Sequence, residues 1–210
     1  MKGINPMPQA LFLFNENDKA NPTKIITNIH KITKELESIG ITHGMYPIDQ
    51  FNDHENALHT TTTKKSIAEI QEHYGFAHHE LASIGPEHPD KYKEVKTRNL
   101  QLHWHDAPET RLFLNGGGAF GISNSSWLGI CVLSAGAFIQ IPAKTYHWFD
   151  YGLINPDYPP KYSVVRFWKT TGSLQASIRP HPATTITNDV VNWVQPFPTY
   201  DVLLTLLPNN

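Results

Sequence analysis

The chain has 210 residues, with 17 Lys and Arg against 19 Asp and Glu, for a formal net charge of -2. That length suits one domain with extensions and can bury a substantial core. The near-neutral balance and scattered basic residues exclude a nucleic-acid-binding stripe and a broad attraction to anionic membranes.

Residues 10–14 are too short for a signal core and read as a strand. Asn21-Pro22 reads as a helix start, Asn as N-cap and Pro in the first turn. Ile25, Ile29, Ile32, Leu36 and Ile39 then recur at helical spacing, and Gly40 ends the run. A second helix is predicted over 63–74 with Gly75 as its stop. A third is predicted over 90–96. His78-His79-Glu80 reads as a solvated segment, because adjacent strand histidines face opposite ways. Asp49, Asp53, His54 and Glu55 form a polar loop without ligand spacing.

From residue 100 the pattern changes to short apolar runs separated by Gly, Asn, Ser and Pro clusters. Strands are predicted at 111–114 and 119–122, with Asn115-Gly116-Gly117-Gly118 between them as a hairpin turn. No Lys-Ser or Lys-Thr follows those glycines, so they form no phosphate cradle. Further strands are predicted at 127–133, 137–141, 146–150 and 162–168. The single cysteine, Cys131, reads as a small buried hydrophobe and rules out an intrachain disulfide. Residues 155–160 read as a surface loop. The Pro-broken, apolar stretch 192–210 is expected to pack across the barrel. No apolar run is long enough to span a bilayer. The fold class is mainly β, a jelly-roll barrel with N-terminal helices (α+β). Its parts are a helical and strand region over 1–99, a barrel core with the metal site over 100–170 and an extension over 171–210, in a single domain overall.

The sharpest chemical signal is His103-Trp104-His105-Asp106-Ala107-Pro108-Glu109, with His147 44 positions after His103. Alternation points His103 and His105 the same way. Pro108 interrupts the strand, and a turn there can bring Glu109 back to the imidazoles. His147 follows a strand ending in Pro142-Ala143, which would present it at a barrel mouth. Three imidazoles and one carboxylate suit iron, nickel, manganese, cobalt or zinc, and leave two adjacent positions of an octahedral shell for a bidentate substrate. Arg111 shares the strand parity of Glu109, so it either points into the same cavity or pairs with that carboxylate. Arg166 reads equally as a functional or a structural cation. Trp148 and Phe149 read first as barrel packing and second as a substrate wall.

The chain resembles the acireductone dioxygenase family of cupins over about residues 83–168. The matching elements are Gly85-Pro86-Glu87-His88-Pro89, His103-x-His105-x-x-x-Glu109-x-Arg111, Gly116-x-Gly118-x-Phe120, Pro142-Ala143, His147-x-Phe149 and Arg166-Phe167. The resemblance implies a cupin-type barrel with His103, His105, Glu109 and His147 as ligands of one divalent metal, Fe2+ or Ni2+. It implies Arg111 and Arg166 as catalytic residues. It implies a cytoplasmic dioxygenase of methionine salvage acting on a small-molecule enediol and O2, without nucleic acid or membrane partners. The iron form of such enzymes yields formate and a 2-oxo acid; the nickel form yields carbon monoxide, formate and a shorter acid.

The chain also departs from the family pattern. Leu102 replaces a usual Glu, Trp104 a small polar residue, and Arg98-Asn99-Leu100 a usual aromatic. Gly121 replaces an acidic residue, 155–160 is an insert, and 63 residues follow His147. That tail could cover or reshape the mouth. A metal-dependent sugar isomerase or epimerase and a non-catalytic metal or small-ligand binding module stay open, and oxygen uptake separates them from a dioxygenase. The oligomeric state is left open.

Overall fold

The computed structural model describes residues 9–15, 17–49, 58–84, 89–124, 127–152, 162–171, 181–182 and 197–207. The apolar runs of the second half pair into two antiparallel sheets. The larger contains β1 (Ala10–Leu13), β2 (Lys24–Ile26), β5 (His103–Trp104), β7 (Gly117–Asn124), β8 (Trp127–Ser134), β10 (Tyr146–Asp150) and β12 (His181–Pro182). Its order is β12-β5-β10-β7-β8-β1-β2. The smaller contains β3 (Thr42–Met45), β4 (His78–Ile84), β6 (Glu109–Asn115), β9 (Ala137–Ile141) and β11 (Tyr162–Trp168), in the order β3-β9-β6-β11-β4. The sheets face one another as a jelly roll, with Leu11, Phe113, Phe120, Leu133, Ile139 and Phe149 among the side chains between them.

Residues 137–141, 146–150 and 162–168 form strands at the predicted bounds. The hairpin reading of Asn115-Gly116 is overturned. β6 pairs with β9 and β11, whereas β7 pairs with β8 and β10, so this turn carries the chain from one sheet to the other. Gly116 takes the left-handed conformation of that corner, at φ 68. Gly-rich turn chemistry specifies a reversal but not which sheet receives the next strand. His78-His79-Glu80 is likewise not a mere solvated segment. It opens β4, the edge strand paired with β11, although both histidines are exposed. The predicted loop at 155–160, residues 53–55 of the polar loop and residues 85–88 of the Gly-Pro motif lie outside the described residues.

Helix α1 (Ile29–Glu37) starts later than Asn21-Pro22 predicts, with Asn28 as its N-cap accepting from the Lys31 amide at 3.1 Å. Ile25 and Ile26 instead form β2 against Phe12 and Leu11, a pairing that overrides the helical spacing of Ile25. Only the later part of the periodic run, Ile32 and Leu36, is the buried helical face. Helix α2 (Thr61–Tyr74) is capped by Thr60 and stops at Gly75 with φ 69. Its Ile67 and Ile70 cover the outer face of the smaller sheet, against Leu112, Phe138, Val165 and Phe167. Helix α3 (Pro89–Asn99) is longer than predicted.

The outer face of the larger sheet is covered by residues 197–207, including α4 (Tyr200–Thr205). Phe197 stacks on Trp148 at 5.1 Å and meets Phe14 edge-on at 5.2 Å. Leu102, Trp148, Tyr200 and Leu203 are buried in the same cluster. A Cβ on Gly121 would fall inside the Trp148 indole, so glycine is the residue that lets this ring lie flat on the sheet. Leu102 and Gly121, two positions where the chain departs from the pattern it resembles, both belong to the apolar platform beneath the C-terminal segment. This part of the tail lies on the sheet's back. Cys131 is fully buried in β8, as predicted.

The buried His43 on β3 predicts a pH response of stability. Its Nδ1 lies 2.9 Å from Thr33 Oγ1 and its Nε2 3.3 Å from Gln9 Oε1. Burial pushes its pKa down to about 4. An unfolded histidine protonates near 6.5, so between the two values the unfolded chain holds more protons. Stability therefore falls as pH drops through this window, by about 2–3 kcal/mol from this group. Urea unfolding at pH 7 and pH 4.5 checks this, and the loss should shrink in His43→Gln.

Candidate metal centre

Three strand ends and one turn assemble the cluster. His103 lies in β5 directly across from His147 in β10. His105 follows β5, and Glu109 opens β6 in the opposite sheet. The turn after Pro142 is tied to this region, because the Lys144 amide donates to the His105 carbonyl at 2.8 Å. Lys144 has φ 62, a left-handed conformation unusual for a side chain of its type, at the point where the chain must reverse to deliver His147.

One ligand-type atom from each of His103, His105, Glu109 and His147 lies within 4.8 Å of the others, and all four residues are buried. The His103 and His147 rings are 4.5 Å apart, centre to centre. Both rings point Nδ1 at a backbone carbonyl, Gln101 at 2.6 Å and Thr145 at 2.8 Å. An Nδ1–H donated there leaves Nε2 as the basic atom facing inward, the arrangement that orients histidine ligands. Glu109 Oε2 is the point of convergence, 2.8 Å from His147 Nε2 and 3.0 Å from His105 Nε2.

The electrostatics favour the ligand-competent forms. Burial, assisted by the neighbouring His147, pushes the His103 pKa down to about 4, so its imidazole is neutral at pH 7. Burial alone would raise the Glu109 carboxyl, but the adjoining Arg111 guanidinium, with the His105 and His147 imidazoles against its oxygens, holds it well below the usual range. One buried anion among three imidazoles is a donor set for a borderline divalent cation, and it fits one such ion.

A cavity of about 570 Å³ opens from these four residues. Arg111 reaches it and pairs with Glu109 Oε1, so both readings of Arg111 hold at once. Arg166 also lines it and pairs with Glu80 on the neighbouring strand. The Arg166 Nε is buried without a hydrogen-bond partner among the described residues. Phe149 lines the cavity, whereas Trp148 faces the outer cluster. Asn99, Tyr151 and Tyr162 also line it and were not singled out from the sequence. Strand parity was the available signal, since Tyr151 alternates in step with His147 and Phe149, and Tyr162 in step with Arg166.

No helix among the described residues is long and apolar enough to cross a membrane. Comparison with known proteins converges on one family. An acireductone dioxygenase of Aquifex aeolicus is 30% identical over 151 residues, covering 70% of this chain and 78% of that protein. An acireductone dioxygenase from a Synechococcus strain is 28% identical over 156 residues, covering 72% and 80%. The structure of an acireductone dioxygenase from Bacillus anthracis, with cadmium in its active centre, superposes with a TM-score of 0.65 at 19% identity, covering 85% of this chain and 99% of that one. The ARD/ARD′ family pattern matches residues 12–173, and the chain belongs to that family.

Proposed function

We propose that the protein is a metal-dependent acireductone dioxygenase, with His103, His105, Glu109 and His147 holding one Fe2+ or Ni2+. The observation that carries this reading is the convergence of three buried imidazoles on an anionic Glu109 at the head of a cavity also lined by two arginines. The bound metal would supply Lewis acidity toward the two oxygens of an enediol. Family membership and the dioxygenase relatives support the enediol, and with it a role in methionine salvage.

The chain's own groups have separable tasks. Glu109 supplies the one negative charge of the donor set, and Arg111 keeps it ionised. Arg111 and Arg166 present fixed, planar donors to an oxyanion that develops on the substrate. The buried Arg166 Nε, with no partner in the described protein, is suited to accept that duty. Phe120 and Phe149 line the intervening wall and limit the entry of water. A cytoplasmic setting is part of the same reading.

Loading metal-free protein separately with Fe2+ and Ni2+ and following oxygen uptake on a synthetic acireductone tests it. Uptake is expected with both, with carbon monoxide released only in the nickel form. No uptake with either metal refutes the reading.

A further inference from the structure

We propose that Lys91 and Arg98, on one face of helix α3, form a cationic entrance that captures the enediol as an anion and feeds it to the metal cluster. This rests on the dioxygenase reading and adds to it the residues that govern substrate capture.

Helical spacing sets the face. Lys91, Val95 and Arg98 are four and three positions apart, so they line up along one side of α3. All three line the cavity, with Asn99 at the end of the same helix. Tyr92 is buried in the barrel core and Val95 packs against it, which turns this side of α3 toward the barrel. Lys91 and Arg98 are exposed although they line the cavity, so they stand at its mouth with their charged ends in water.

The helix is fastened in that position. Lys96 Nζ pairs with Asp150 Oδ1 at 3.3 Å and donates to the Gly152 carbonyl, and Asn99 Nδ2 donates to the Tyr151 oxygen. These bonds tie α3 to the end of β10, the strand that carries His147, and so fix where the two cations sit relative to the cluster.

Among the described residues that line the cavity, Lys91, Arg98, Arg111 and Arg166 are basic and Glu109 is acidic. Arg111 pairs with Glu109, and Arg166 with Glu80, so the inner cations share their charge with carboxylates. The α3 carboxylates Asp90 and Glu94 border a second depression with Lys93 and Thr97; Arg98 borders both. A divalent ion at the four ligands adds positive charge at the inner end. An enediol conjugated to a ketone is a vinylogous acid and is an anion at pH 7. Clefts lined by one sign of charge focus the field and raise the local concentration of an oppositely charged ligand. Lys91 and Arg98 therefore act on arrival, while Arg111 and Arg166 act on the enediol once it is seated.

The test uses the full chain loaded with Ni2+ and a synthetic acireductone. In the unmodified protein kcat/KM is expected to fall about fivefold as ionic strength rises from about 10 mM to about 150 mM, with kcat changing less than about twofold. The double variant Lys91→Glu, Arg98→Glu should lower kcat/KM about tenfold at the lower ionic strength, lose most of the salt dependence and keep kcat within about twofold. Anaerobic titration calorimetry should show the dissociation constant rising by a similar factor of about ten. Lys91→Gln and Arg98→Gln should each lower kcat/KM about two- to threefold, with melting temperatures recorded as a check on folding. Lys93→Glu reverses a charge beside the second depression and should change kcat/KM less than about twofold. An unchanged salt dependence in the double variant overturns the proposal, as does a single-site fall matched by Lys93→Glu. A fall in kcat as large as that in kcat/KM also overturns it, because it places these cations in the chemical step. In those cases oxygen uptake by the unmodified protein leaves the dioxygenase reading standing. No uptake by the unmodified protein with Fe2+ or Ni2+ removes that reading and this one together.

Discussion

Glu109→Gln is expected to strip the purified protein of most of its metal, leaving less than about a tenth of the unmodified content, because a neutral amide replaces the donor set's only anion. The side chain keeps its size, so the loss reports charge and ligation, not shape. A second consequence follows from Arg111. Its buried guanidinium pairs with Glu109 Oε1. Leaving a buried charge without its partner costs about 3–5 kcal/mol, so the metal-free variant should also melt earlier. Metal analysis of Glu109→Gln and His105→Ala checks the first effect, and thermal unfolding of the metal-free proteins checks the second. His105→Ala should lose metal without the same loss of stability, since Arg111 keeps its carboxylate. Full metal content in both variants would sink the proposed ligand set.

Asp150→Ala is expected to destabilise the fold by about 3 kcal/mol, and to release the C-terminal helix first. The Asp150 carboxylate is buried and serves three elements at once. Oδ1 accepts from the Gly152 amide at 3.0 Å and pairs with Lys96 of α3 at 3.3 Å. Oδ2 accepts from the Tyr200 amide at 2.9 Å, satisfying a donor at the start of α4. Alanine leaves the Gly152 and Tyr200 amides unsatisfied and takes the carboxylate from Lys96, which keeps only the Gly152 carbonyl. Asp150→Asn keeps an acceptor and should cost about 1 kcal/mol. Urea unfolding measures both, and hydrogen exchange of the α4 amides shows whether that helix opens before the rest. Asp150 is three residues beyond His147, and Lys96 and Asn99 share α3, so the substrate KM should rise as well. Unchanged exchange in α4 would show that its apolar face alone holds it.

The metal cluster was legible because its members carry chemistry at distinctive spacing: His103 and His105 two apart, Glu109 beyond a proline, and His147 behind Pro142-Ala143. Arg111 was legible through parity with Glu109. Glu80 was not, because its role depends on strand β4 lying beside β11, a pairing between segments 86 residues apart. Asn99, Tyr151 and Tyr162 were missed for a similar reason. Buried tyrosines and an asparagine at a helix end are ordinary core and cap residues until a cavity is seen against them.

By itself the sequence determined the local events: the Gly40 and Gly75 stops, the strands from 127 onward, the buried Cys131 and the residue types able to hold a divalent metal. These depend on the periodicity and conformational limits of neighbouring residues, which short-range physics sets. Tertiary structure alone decided which partners those elements found. It turned Ile25 and Ile26 into a strand by offering them β1, and sent the chain at Gly116 to the other sheet. It laid residues 197–207 over Leu102, Gly121 and Trp148, and put two tyrosines into the cavity lining. Pairing and burial between distant segments are non-local free energies, and they outweigh local propensities of a few tenths of a kcal/mol to about 1 kcal/mol per residue wherever the two conflict.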